Sequence, residues 1–248
     1  MIVDNLKDVV RNTHGLGFID TVKIIGSVNE TKLEAMSTNK TVVMYGSLKK
    51  SIPGLDDTVG LSRMSVLSGM LNFPPYSGDD AEVSIKKQER NGEEIPAEIV
   101  FSSSTGHKSS YRFMARDTVD EVLKVPPFRG VVWDIVIQPT KQAMKDLQYF
   151  SAVLGSYESN FLVKVTDGVL EFHIGTGATS DRTVVPFAKD VKSTLRNNWS
   201  WPLPEVLAIL KNADSGKCTM SISSQGALMI ELDTGLIEVQ YILPAKSA

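Results

Sequence analysis

The sequence predicts an α+β fold built from four copies of one unit, a helix followed by an antiparallel meander. In the clearest copy, the segment QPTKQAMKDLQYFSAVL spaces its apolar residues as a helix does. Two alternating runs, NFLVKVT and VLEFHI, follow and are joined by Asp167-Gly168. Asp-Gly is a strong hairpin signal because both turn positions favour a positive φ. A third run, RTVVPFAKD, completes this copy.

The same order recurs three more times. Val3–Asn12 is a predicted amphipathic helix, followed by the strand-like runs FIDTVKII, TKLEAMST and KTVVMYGSL. A second helix, Arg63–Asn72, ends before Pro74-Pro75 and precedes AEVSIKKQE, PAEIVFSSS and SSYRFMAR. A fourth helix, Pro204–Ala213, precedes the meander KCTMSISSQGALMIELDTGLIEVQYIL. The four units therefore form two pairs.

The segment Asp117–Val132 fits neither the helical nor the strand period, and Pro126-Pro127 favours extended backbone within it. We interpret it as a linker without a helix of its own. The predicted domains are Met1–Arg116 and Trp133–Ala248, which have equal length. Equal halves with the same element order favour an internal duplication.

Composition narrows the class of protein. Of the 248 residues, 42% are hydrophobic and 22% charged, which indicates a packed globular chain. The net charge of −3 does not indicate a nucleic-acid binder, although binding depends on where charges cluster. The single cysteine, Cys218, excludes an intrachain disulfide and favours a reducing compartment. No apolar run is long enough for a membrane span and no signal peptide is legible, so we expect a cytoplasmic protein.

No catalytic or metal-binding constellation is legible. The three histidines, His14, His107 and His173, are far apart in sequence, and we expect His173 on one face of a sheet. Asp56-Asp57 and Asp79-Asp80 are typical of turns. We expect Cys218, Trp199 and Trp201 to serve in packing. The sequence thus predicts neither an enzyme nor a metal or cofactor site.

The paired units, the linker between them and a last strand VQYILPA resemble a DNA sliding clamp. Scattered similarity in AMSTNKTVVMYGSL and LEFHIGTG is closest to the processivity clamps of T-even-like bacteriophages and more distant from proliferating cell nuclear antigen. The resemblance implies a DNA-clamp fold in which six domains from a homotrimer close a ring around duplex DNA. It also implies a DNA polymerase and a clamp loader as partners, and the host cytoplasm as location if the protein is viral.

The resemblance assigns three sets of residues. Cations on polar helix faces would touch DNA phosphates without reading bases: Lys7, Arg11, Lys141, Lys145 and Lys211. Partner tails would bind an exposed apolar patch at the linker: Met36, Val43, Val122, Leu123, Val125, Tyr241, Leu243 and Pro244. Subunits would join through the strands Ser109–Ala115 and Thr183–Lys189, with side chains Tyr111, Phe113, Val184 and Phe187.

Two alternatives stay open at this point. One is a non-enzymatic phage structural protein with duplicated β-rich domains, which need not keep basic residues on its helices. The other is a hydrolase or lectin-like protein that uses an Asp pair and a Trp, which should bring several titratable groups together.

Overall fold

The computed structural model describes residues 2–78, 80–90, 92–177, 179–193, 195, 198–215 and 217–247. It divides the chain into two compact units. Unit 1 comprises Met1–Pro126 and Thr234–Val239, and unit 2 comprises Pro127–Asp233 and Gln240–Ala248. This division does not test the domain limits expected from the sequence, which stay a prediction. None of the described helices has the length and apolar character that a membrane span requires.

Unit 1 begins with the first helix and its meander. Its elements are α1 Ile2–Arg11, β1 Val22–Gly26, β2 Thr31–Met36, β3 Val43–Leu48 and β4 Thr58–Leu61. The strands lie in the order β4-β1-β2-β3, and residues 237–239 follow β3 in the sheet. Leu6 and Val9 of α1 are fully buried, as are Ile24 and Leu33 of the sheet. The helix thus contributes its apolar side to the core, as its spacing predicts.

The second half of unit 1 repeats this order. Its elements are α2 Met64–Leu71, β5 Glu82–Arg90, β6 Glu93–Ser102 and β7 Lys108–Arg112. The three strands form an antiparallel sheet in the order β5-β6-β7. The helix ends where predicted, because the prolines after Phe73 form a separate short 3-10 turn, Pro74–Tyr76. Asn91 of the β5–β6 turn lies outside the described residues.

The prediction that the linker carries no helix is wrong. Arg116–Val122 forms a helix, α3, because Pro126-Pro127 lie beyond its end and do not interrupt it. Val119 is fully buried, and a Cβ on Gly60 of β4 would stand only 2.9 Å from the Val119 Cβ. Lys23 Nζ contacts Asp120 Oδ1 at 2.6 Å, and Arg116 pairs with Asp57. Close packing and two ion pairs therefore fix α3 on the sheet of unit 1.

Unit 2 opens with a short strand and the longest helix. Its elements are β8 Ile135–Ile137, α4 Lys141–Leu154, β9 Asn160–Thr166, β10 Val169–Ile174, β11 Thr183–Ala188 and β12 Trp199–Pro202. The Asp167-Gly168 turn has the predicted positive φ angles of 51° and 77°. Phe172 stacks on both Phe161 and Phe187, with ring centroids 4.6 and 4.1 Å apart. This stack is the core beneath the meander.

The fourth unit completes the chain. Its elements are α5 Leu203–Lys211, β13 Lys217–Ser223, β14 Ala227–Asp233, β15 Ile237–Pro244 and β16 Lys246–Ser247. In unit 2 the strands lie in the orders β15-β14-β13-β8 and β11-β10-β9-β12-β16. Trp201 is fully buried and donates its Nε1–H to the carbonyl oxygen of Leu243 at 3.1 Å, which confirms its packing role. The fold is α+β, with four helix-plus-meander units in two pairs, as predicted.

Candidate nucleic-acid interface and assembly edges

In unit 1 the predicted cations lie on α1, which packs against α2. Lys7 is half-buried and Arg11 exposed. The Lys7 ammonium donates a hydrogen bond to Ser77 Oγ at 3.2 Å, so a neutral hydroxyl holds it near the end of α2. Arg11 stands in the last turn of α1, where a cation is favoured by the helix dipole.

In unit 2 the predicted cations lie on α4 and α5, which pack against each other. Ala143 and Leu147 of α4 are buried, so Lys141 and Lys145 lie on its exposed side, and Lys211 is exposed at the end of α5. Thr140 begins α4 as an N-cap, because its Oγ1 accepts the Ala143 N–H at 3.1 Å. The local fold thus exposes all three lysines to solvent.

β7 and β11, which cover most of the two segments predicted to join subunits, each lie at the edge of a sheet. Met114 of the predicted segment Ser109–Ala115 lies beyond β7 and pairs with Gly60 of β4. β7 is the last strand of the β5-β6-β7 sheet, and β11 is the first strand of the β11-β10-β9-β12-β16 sheet. Within the described residues, each therefore has an open backbone edge on the side away from its neighbour. Such an edge is a template for a further strand.

The side chains expected at this interface differ in burial. Tyr111 and Phe187 are each 2% exposed and belong to the cores of their own units, whereas Val184 is 44% exposed and Phe113 half-buried. Tyr111 donates its hydroxyl proton to the carbonyl of Ser62, and burial raises its pKa to about 12. Their roles at an interface stay predictions, and only Phe113 and Val184 offer side-chain surface for one.

An apolar groove flanks β7, a feature that the sequence analysis missed. This α2 groove has a volume of about 430 Å³ and is lined mainly by Val66, Met70, Phe73, Tyr76, His107 and Ser109. Val66 is 46% exposed and Phe73 is 37% exposed. The Tyr76 hydroxyl lies 2.8 Å from Ser109 Oγ and so fastens the groove to β7.

Three large side chains are exposed on or just after α4, the helix that packs against β11. Tyr149 is 66% exposed, Val153 is 53% exposed and Tyr157, just past the helix end, is 86% exposed. We call these three residues the α4 stripe. The spacing of four residues puts Tyr149 and Val153 on one side of the helix, and that spacing was the available sequence signal. Large exposed apolar side chains grouped in this way are a candidate interaction surface.

The residues predicted for partner binding are only partly exposed. In unit 1, Met36, Val43 and Val125 are half-buried, Val122 is 59% exposed, and Leu123 is only 7% exposed. The expectation that Leu123 is exposed is wrong, because Leu123 follows Val119 by one helical turn and lies on the same buried side.

In unit 2 the residues predicted for partner binding lie at the end of β15. Tyr241 and Leu243 are fully buried and Pro244 is exposed. The expectation that Tyr241 and Leu243 contribute exposed surface is wrong, because the alternation of β15 places both side chains on its buried face.

Among the described residues, no group of three His, Cys, Asp or Glu side chains is placed to hold a metal ion. Asp56 pairs with Lys87 at 2.7 Å, and this hydrogen bond lowers the pKa of its carboxyl group. His173 lies on β10, as expected, with Nε2 3.0 Å from Glu171 Oε2. Burial raises the pKa of the Cys218 thiol to about 11, which suits packing and not nucleophilic chemistry. Asp79 lies outside the described residues.

Solved structures with the same fold are sliding clamps. Proliferating cellular nuclear antigen from Entamoeba histolytica matches with a TM-score of 0.69 and 13% identity over 98% of this chain and 96% of that one. PCNA of A. fulgidus, bound to the C-terminal region of FEN-1, matches with a TM-score of 0.71 and 11% identity over 100% and 97%. The PCNA2–PCNA3 complex from Sulfolobus tokodaii matches with a TM-score of 0.69 and 8% identity over 100% of this chain and 98% of that one.

No protein-family model and no curated protein sequence matches the chain. At these identities the structural match establishes the fold, which is the clamp fold of PCNA across nearly the whole chain.

Proposed function

We propose that the protein is a subunit of a DNA sliding clamp, a ring that encircles duplex DNA and tethers the replicative DNA polymerase. The observation that carries this proposal is the PCNA fold, which extends over 98–100% of the chain in the matches above. A clamp works by topology, since a threaded ring leaves the duplex only by opening. It therefore needs no catalytic residues, and we propose that the protein is not an enzyme.

Ring closure would occur by pairing β7 of one copy with β11 of the next. Both strands have an open edge, and pairing them would remove two aggregation-prone edges from each chain. The same pairing would bring the α2 groove of one copy towards the α4 stripe of the other, since α2 packs against β7 and α4 against β11. Burying Val66 and Phe73 against Tyr149 and Val153 would add apolar contact to the backbone hydrogen bonds. A ring of six units would contain three copies, because each chain supplies two units.

Duplex DNA would pass along the helices. The exposed cations on α1, α4 and α5 would contact phosphates through long side chains and water, without reading base edges. The net charge of −3 does not oppose this arrangement, because DNA binding depends on where the cations lie and not on the sum of charges.

Partner proteins would dock through short tails. The A. fulgidus clamp was solved with the C-terminal region of FEN-1 bound, and we infer a similar mode for a polymerase and a clamp loader here. In unit 1 the exposed Val122, with half-buried Met36, Val43 and Val125, offers apolar surface for such a tail. The sequence similarity noted above favours a T-even-like phage clamp that acts in the host cytoplasm.

Retention on circular DNA tests this function. The protein is diluted until it dissociates and is then concentrated in the presence of nicked plasmid, so that rings close around DNA without a loader. We expect protein to co-elute with the circles on gel filtration and to be released when a restriction enzyme linearises them. Equal retention before and after cutting, or no retention on circles, would contradict the proposal. A virion component or a carbohydrate-binding protein would not be retained on the circles.

A further inference from the structure

A second groove, between α1 and α2 in unit 1, has the chemistry of a site for a sugar-phosphate group. This α1–α2 groove has a volume of about 310 Å³. Its floor is apolar, since Val10 is 7% exposed and Leu71 is 1% exposed. Lys7, Arg11 and His14 line one wall. Their spacing of four and three residues continues one face of α1 into the turn that follows it.

The opposite wall supplies two neutral polar side chains, Ser68 of α2 and Asn72, the residue that caps the end of this helix. The Asn72 amide Nδ2 donates to the Ser68 carbonyl at 2.9 Å and to Ser68 Oγ at 3.3 Å. Because Ser68 Oγ accepts this hydrogen bond, its own hydroxyl proton can be donated to a ligand. Among the described residues that line the groove, none is a carboxylate.

The two acidic groups of α1, Asp4 and Asp8, do not line the groove. Asp4 lies one turn before Lys7 and interacts with the chain's amino terminus and with Lys7, which lower the pKa of the Asp4 carboxyl group. Asp8 accepts hydrogen bonds from the Asn12 side chain at 3.1 Å and from the Thr234 hydroxyl at 2.5 Å. The Lys7 ammonium has three protons and its hydrogen bond to Ser77 Oγ uses one. The groove thus combines cationic donors and a hydroxyl donor above an apolar floor.

We propose that the α1–α2 groove binds one sugar-phosphate unit of a nucleic-acid backbone. Lys7, Arg11, the His14 imidazole and the Ser68 hydroxyl donate to the phosphate oxygens, while the sugar lies against Val10 and Leu71. This rests on the proposed DNA-binding function and deepens it, because it places a contact in a formed groove and adds His14 and Ser68 to the residues involved. The apolar floor favours a phosphate that carries a sugar over a free phosphate ion.

The test follows the imidazole signals of the full-length protein by ¹H–¹³C NMR during titration with a short blunt-ended DNA duplex. The His14 signal is identified by its loss in His14→Ala. We expect it to shift with the duplex while the His107 and His173 signals stay in place. His14→Ala should weaken duplex binding about tenfold or more, the effect of losing one hydrogen bond to a charged group. His173→Ala, a matched change on β10, which belongs to none of the proposed sites, should not weaken it.

Three results would overturn the proposal: an unmoved His14 signal, equal effects of the two substitutions, or an equal response to inorganic phosphate at the same phosphate concentration. The last would show a simple anion site. These results are separable from failure of the clamp function, because a short duplex diffuses freely and does not report encirclement. Retention on circles without a His14 shift would contradict only the proposal that this groove binds the DNA backbone. A His14 shift without retention would contradict only the proposal that the protein encircles DNA.

Discussion

Shortening one side chain of the α4 stripe should weaken ring assembly by a calculable amount. Val153→Ala removes two methyl groups. If both were fully buried on association, they would contribute about 1.6 kcal/mol to the free energy of binding. Val153 is 53% exposed in the single chain, so association can bury only about half of it. The loss is therefore about 0.8 kcal/mol per interface, or roughly fourfold in each pairwise dissociation constant. A closed ring of three copies has three interfaces, which gives about 2.4 kcal/mol, or roughly 50-fold, in the trimer equilibrium.

Sedimentation equilibrium over a range of concentrations measures this shift. Val28→Ala is the matched control, because Val28 is 80% exposed in the turn between β1 and β2 and flanks neither edge strand. Thermal unfolding of the Val153→Ala chain should be unchanged or slightly improved, since alanine has a higher helix propensity than valine. If Val153→Ala shifted the assembly no more than Val28→Ala, the α4 stripe would not lie at a subunit interface.

Three further predictions concern unit 2. Phe172→Ala removes the middle ring of the aromatic stack and should cost about 3–5 kcal/mol in a urea titration, whereas a loss below about 1 kcal/mol would contradict the packing. Thr140→Ala deletes the N-cap of α4 and should cost about 1 kcal/mol, with Thr140→Ser restoring most of it. Cys218 should react with a thiol reagent at pH 8 only slowly until the chain is unfolded, because burial raises its pKa to about 11. The stability that the neutral, buried Cys218 thiol contributes is complete below pH 9.0, the ordinary thiol pKa. This contribution is lost as the pH rises towards about 11, the pKa in the folded chain.

The elements with strong local signals were predictable from the sequence. Asp167-Gly168 adopts the turn that these residues favour, and α2 ends just before the proline pair. These features depend on backbone preferences of a few adjacent residues. For the same reason the count and order of the helix-plus-meander units follow from the sequence pattern.

Elements held by distant contacts were not predictable. α3 is only seven residues long, and the ion pair between Asp120 and Lys23 joins residues far apart in the chain. β12 contains Trp201 and Pro202 and is defined by its pairing with β9, which no local pattern reveals. Neither element has a periodicity long enough to identify it.

Candidate site residues were predicted less well than the fold, because exposure depends on neighbouring strands and helices. The polar side of α4 could be predicted from its period, and Lys141 and Lys145 are exposed accordingly. Tyr241 and Leu243 follow the alternation of an ordinary strand, but the pattern alone does not show that their face of the sheet is covered. The α2 groove and the α1–α2 groove each combine residues from separate elements, so no contiguous motif indicates them.

The lifetime of the protein on linear DNA with blocked ends tests encirclement most directly. Rings are closed around a duplex that carries biotin at both ends, streptavidin is added to one half of the sample, and both halves are moved into about 1 M salt, where the Debye length falls to roughly 3 Å and phosphate contacts are screened. We predict that the protein stays on the blocked duplex and leaves the open one by sliding off its ends. Equal loss from both, or equal retention on both, would contradict a topological link.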